Sequence, residues 1–117
     1  MNLRSALARI DGAFASRIRR GITVAGITLR AADSDRTAFT QLLTMLNEAE
    51  RLGMLPAQTA IADRDGQPHA LPTAQVRAML VEYGGIYQAL WLHKVGLENA
   101  VKSAADDTAR AAIEIQF

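Results

Sequence analysis

Between residues 3 and 20 the apolar positions Leu3, Leu7, Ile10, Phe14 and Ile18 recur at spacings of four, three, four and four. That spacing lines one face of an amphipathic helix. Arg17, Arg19 and Arg20 suit the negative helix end, and Gly21 marks the stop. The period then drops to two. Ile22, Val24, Ile27 and Leu29 flank an Ala25-Gly26 centre, which predicts a hairpin over 22–30 pairing Val24 with Ile27, Thr23 with Thr28 and Ile22 with Leu29. In that register the four aliphatics share one face and both threonines the other. Ala25 is a poor turn residue, because a primed turn needs positive φ there.

A second helix is predicted over 34–52, with Ala38, Leu42, Met45, Leu46, Ala49 and Leu52 as its apolar stripe and Phe39 and Leu43 widening it. Asp33 or Ser34 can cap its start, and Gly53 follows its end. A loop around Pro56 leads to a second hairpin over 60–71, signalled by Asp65-Gly66. Pro68 cannot donate to a ladder, so its strand is an edge. Thr73 is placed to cap a long helix over 74–102. Val76, Leu80, Tyr83, Tyr87, Leu90, Leu97 and Val101 form one apolar side of it; Met79, Ile86 and Trp91 add another. Gly84-Gly85 in its middle predicts a kink or a close backbone approach. The tail, 103–117, holds a short helical turn over 106–112 and a final strand or docking segment. The expected fold is α+β, mainly α, with small antiparallel hairpins packed on a helical core in one domain spanning 1–117.

Composition narrows the classes. Of 117 residues 50% are hydrophobic and 21% charged, which excludes intrinsic disorder. Without cysteine there is no disulfide, thiol nucleophile or Cys-based metal site. No apolar run approaches the ~18–20 residues of a membrane span, and Arg4 and Arg9 interrupt any signal-peptide core. The net charge of +1 hides an asymmetry. Residues 1–36 carry seven arginines against three aspartates, and the remainder is net acidic. That favours head-to-tail contact between copies or an acidic partner.

Candidate chemistry is sparse. Asp63-Arg-Asp-Gly66 fails as a calcium loop, because alignment on Gly66 puts Ile61 and Pro72 where carboxylates belong. His69 and His93 stand alone, without two-His metal spacing, and read as structural histidines. No Gly-x-Ser-x-Gly elbow or phosphate-binding glycine pattern occurs. Glu48, Glu50, Glu82 and Glu98 fall on polar helix positions, where solvation accounts for them. Arg17, Arg19 and Arg20 form the one basic cluster, but nucleic-acid binding wants interleaved aromatics as well. No catalytic residue, cofactor or metal is expected.

The order of elements resembles a phage-associated domain of unknown function found in tail-fibre and other tail-associated proteins of bacteriophages and prophages. The resemblance spans about residues 15–115. It runs from Arg19-Arg20-Gly21 through the Gly21–Leu29 hairpin, the Asp35-Arg36 helix start, the Asp65-Gly66 hairpin and Leu71-Pro-Thr-Ala-Gln-Val76 to Leu97, Val101, Ala104-Ala105 and Ala112-Ile113. It implies a non-enzymatic structural or assembly protein of the phage tail, made in the bacterial cytoplasm and carried into the virion. Its partners would be tail or tail-fibre proteins and further copies of itself, with no membrane and nucleic acid disfavoured. The aromatic flank Tyr83, Ile86, Tyr87 and Trp91 is the expected protein interface. The alternative is a small nucleic-acid-binding or regulatory protein using the basic N-terminal third.

Overall fold

A computed structural model describes Met1–Phe117. In chain order it contains α1 (Leu3–Arg19), β1 (Ile22–Val24), β2 (Ile27–Leu29), α2 (Asp33–Arg51), β3 (Gln58–Ala62), β4 (Pro68–Pro72), α3 (Thr73–Ser103) and α4 (Asp107–Ala111). The fold is α+β, mainly α, with two separate two-stranded antiparallel sheets, β1-β2 and β3-β4. The residues sort into two compact units: Met1–Arg19 with Gln88–Phe117, and Arg20–Tyr87. The long helix α3 is continuous and contributes to both.

In the first unit, Asn2 caps α1 by accepting the Ser5 amide at 2.8 Å. Ala6 and Ile10 of α1 meet Leu97 and Val101 of α3 in a fully apolar core. The tail docks rather than forming a strand: Ile113, Ile115 and Phe117 close over that core. Phe117 lies edge-on to both Phe14 and His93. His93 Nε2 donates to the Gln116 carbonyl at 2.8 Å, so this histidine fixes the tail. Asp106 caps α4 through the Ala109 amide, and Arg110 Nε donates at 2.9 Å to Val101 O near the end of α3.

In the second unit, the register of β1-β2 is the one that alternation dictates: Ile22↔Leu29, Thr23↔Thr28, Val24↔Ile27. Ile22, Val24 and Leu29 are buried and Ile27 is half-buried, while the two threonine hydroxyls bond to each other at 2.7 Å. Ala25 does take the positive φ of a primed turn, at 50°, followed by Gly26 at 76°. Gly21 cannot be replaced. Its φ is +79°, and a Cβ there would lie 2.6 Å from the Leu29 carbonyl oxygen.

The remaining core consists of Ala31, Leu46, Ile61, Val76, Met79, Leu80 and Tyr83. Three sequence expectations are corrected. Neither Asp33 nor Ser34 caps α2. Ala32 occupies that position, and Asp35 reaches back to accept its amide at 3.2 Å. Thr73 is the first helical residue of α3 rather than a cap; it is buried, its hydroxyl bonds Thr59 at 2.8 Å and its amide donates to Ala57 O. The glycine pair marks no close backbone approach, and it lies within a helix that is continuous from Thr73 to Ser103. A Cβ on Gly84 or Gly85 would meet no atom within 4 Å.

Two stability changes follow. Ala25→Asn should stabilise the protein by about 0.5–1 kcal/mol, since asparagine tolerates left-handed backbone better than alanine. Gly85→Ala should stabilise by up to about 1 kcal/mol through helix propensity. Urea unfolding at constant m-value measures both.

Candidate functional site

Helix α2 carries more apolar residues than one buried face can hold. Phe39, Leu42, Leu43 and Leu46 stand at i, i+3, i+4 and i+7 and turn inward. Met45 and Leu52, which the sequence assigns to the buried stripe, instead stand 59% and 56% exposed on the outer face. The chain then leaves the helix through Gly53 at φ +71°, with Gly53 N–H donating to Glu50 O and Met54 N–H to Ala49 O at 2.8 Å. This Schellman closure folds Met54 back toward Ala49. The result is an open apolar groove of about 770 Å³ lined by Met45, Ala49, Leu52, Met54 and Pro56. Met54 is 72% exposed.

Gln41 also lines this groove, whereas its two threonine hydroxyls and its carboxylate are engaged within the chain. Thr40 donates its hydroxyl to Arg36 O at 2.9 Å and Thr44 to Thr40 O at 3.0 Å. Back-bonded threonines have no free hydroxyl proton to offer a partner. Glu48 is tied to Arg51 by a two-pronged contact that holds its carboxyl below the ordinary value. Apart from the Gln41 amide, the groove presents hydrocarbon and thioether with its charge paired at the rim, as the centre of a protein interface does.

The predicted flank on α3 divides. Tyr83 is not surface: it is 3% exposed, its hydroxyl donates to Arg30 O at 2.7 Å, and its ring meets Phe39 edge-on at 5.1 Å. Burial pushes its hydroxyl pKa up to about 12. Tyr87 is half-buried beneath the Arg36 guanidinium, 3.8 Å from its ring centre, and Ile86 is half-buried. Trp91 alone of the four is well exposed, at 44%. The basic cluster is engaged locally. Arg17 is half-buried, Arg19 donates to Ser16 Oγ at 3.0 Å, and Arg20 O accepts from Arg64.

One titratable pair occurs in a polar cleft of about 210 Å³ beside Thr28 and Arg64. His69 Nε2 donates to Asp63 Oδ2 at 2.9 Å, while Asp63 Oδ1 accepts the amides of Asp65 and Gln67, each at 2.9 Å. A carboxylate holding an imidazole is the arrangement of a general base. Here the same carboxylate also closes the β3-β4 turn, so the pair fastens the hairpin. No group of three or more His, Asp or Glu converges to hold a metal ion.

Compared with protein-family models, with curated proteins and with solved structures, the chain matches none.

The Asp63 carboxyl is held below its ordinary value of 3.8, first by His69 and then by the Gln67 amide. A depressed folded pKa contributes stability above the unfolded pKa and loses it as pH falls through the folded one. Asp63→Asn should therefore lower the melting temperature at pH 7 and flatten its decline below about pH 4. Thermal melts across an acid series measure this; an unchanged acid limb would show that other carboxylates set it.

Proposed function

We propose that the protein is a non-enzymatic structural or assembly component of a bacteriophage tail, acting through contacts with tail or tail-fibre proteins and with further copies of itself. The order helix, hairpin, helix, hairpin, long helix supports the phage-tail reading, because the resembled domain has that order. The observation that carries the contact reading is the groove on α2. Met45, Leu52 and Met54 are each more than half exposed around one concavity, and their neighbouring hydroxyls and charges are satisfied within the chain. Apolar surface gathered in this way is characteristic of protein-binding sites. We place the contact on α2 rather than on the predicted flank, because Tyr83 of that flank is already buried within its own unit, although Trp91 stays exposed. In this reading the protein is made in the bacterial cytoplasm and travels with the tail.

Light scattering after size exclusion, and co-expression with phage tail and tail-fibre proteins, test the reading. The chain should self-associate or co-purify with a tail protein. Met45→Asp should weaken that association at least about tenfold, since it places a carboxylate in an apolar contact. Circular dichroism and melting should be unchanged, because Met45 is solvent-facing. A strict monomer that retains no tail protein overturns the assignment.

A further inference from the structure

A second concavity lies within the Arg20–Tyr87 unit, between α2 and the first half of α3. It encloses about 450 Å³ and is lined by Arg36, Phe39, Thr40, Leu43, Leu80, Val81, Tyr83, Gly84 and Tyr87. That volume falls in the range of small-molecule sites, roughly 300–1,000 Å³. Its walls are two aliphatic leucines, a valine and three aromatic rings, Phe39 and Tyr83 being set edge-on at 71°. The polar groups around it are used inside the chain. Thr40 donates to Arg36 O and Tyr83 to Arg30 O. Arg36 donates to Ala31 O at 2.6 Å, pairs with Asp33 and covers the Tyr87 ring.

Gly84 bears on this cleft directly. Glycine is the poorest helix former after proline, and nothing in the chain requires one here, since a Cβ would meet no atom within 4 Å. Its position relative to Leu80 and Tyr87, four before and three after, places any substituent on the same helical face, in the cleft between them. The missing side chain keeps the space open.

We propose that this cleft is a binding site for one free, neutral aromatic molecule of one or two rings, the size that its volume admits. Neutrality follows from the walls. The single charge at the rim is the Arg36 guanidinium, which repels a cation and is already paired to Asp33 against an anion. An aromatic group follows from the half-buried Phe39 and Tyr87 rings of the lining, whose surfaces outside the Phe39–Tyr83 pair and the Arg36 cover can take edge-to-face contacts. The site opens separately from the α2 groove, with which it shares Thr40, and does not rest on the assembly role.

Titration with indole, followed by the methyl resonances of Leu43, Leu80 and Val81, tests it. Saturable shifts confined to those methyls are expected. Benzyl alcohol should bind at least tenfold more tightly than benzylammonium. Gly84→Leu should abolish the shifts while melting no lower than the parent; Val81→Phe, at the exposed rim, is a second blocking variant should the first misfold. N-acetyltryptophanamide separates the sources of the ring. A site for a free molecule takes indole and excludes the amide; equal binding of both would assign the cleft to a partner's side chain and overturn the proposal. Absence of saturable shifts with indole and benzyl alcohol, equal affinity for benzylammonium, or undiminished binding in a folded blocking variant overturns the proposal.

Discussion

The two hairpins of the Arg20–Tyr87 unit cannot supply their own stability, and much of that unit is organised around tying them down. Strands of three and five residues in isolated pairs are marginal in water. The ties come from outside each ladder. The Arg64 amide donates to Thr28 O at 2.7 Å, joining the turn of one hairpin to a strand of the other. Tyr83 reaches from α3 to Arg30 O just beyond β2, and Thr73 reaches back to Thr59 on β3. The last two are hydrogen bonds made in partly buried settings, where losing one partner leaves the other unsatisfied and costs about 1–3 kcal/mol. The aliphatic face of β1-β2 is thereby held in place, with Ile22, Val24 and Leu29 buried.

The elements themselves were legible in the sequence. The first hairpin is the clearest example, since period-two alternation and a two-residue turn jointly specify a register, and a slip of one residue would expose Ile22, Val24 and Leu29. The helix bounds were legible to within a residue or two because glycine, proline and apolar periodicity coincide there. What could not be read was which neighbour covers a given face. On α2 the apolar positions wrap beyond a half-turn, and only the placement of α3 decides that Phe39, Leu43 and Leu46 are inner while Met45 and Leu52 are outer. Thr73 shows the same limit at smaller scale. A threonine before a helix reads as a cap, but here a strand residue competes for its hydroxyl.

The same reasoning explains why the candidate contact surface emerged on α2 rather than at the aromatic cluster of α3. Aromatic residues attract attention as interface anchors, yet Tyr83 and Phe39 satisfy each other. The groove is marked instead by an excess of apolar positions on one helix followed by Gly53-Met54. That signal lies in the sequence, but it becomes interpretable only once the Schellman closure shows where Met54 goes.

Two of the groove's principal wall residues are methionines in open solvent, and this gives the surface a redox dimension. Peroxide converts an accessible thioether to a sulfoxide, which is polar and chiral. At Met45 and Met54 the change would leave the core intact, because neither side chain belongs to it. It would replace a soft, adaptable apolar lining with two strong hydrogen-bond acceptors. An oxidised molecule would thus keep its fold and lose the hydrocarbon character of one face, a form of ageing invisible to circular dichroism and reversible by sulfoxide reductases.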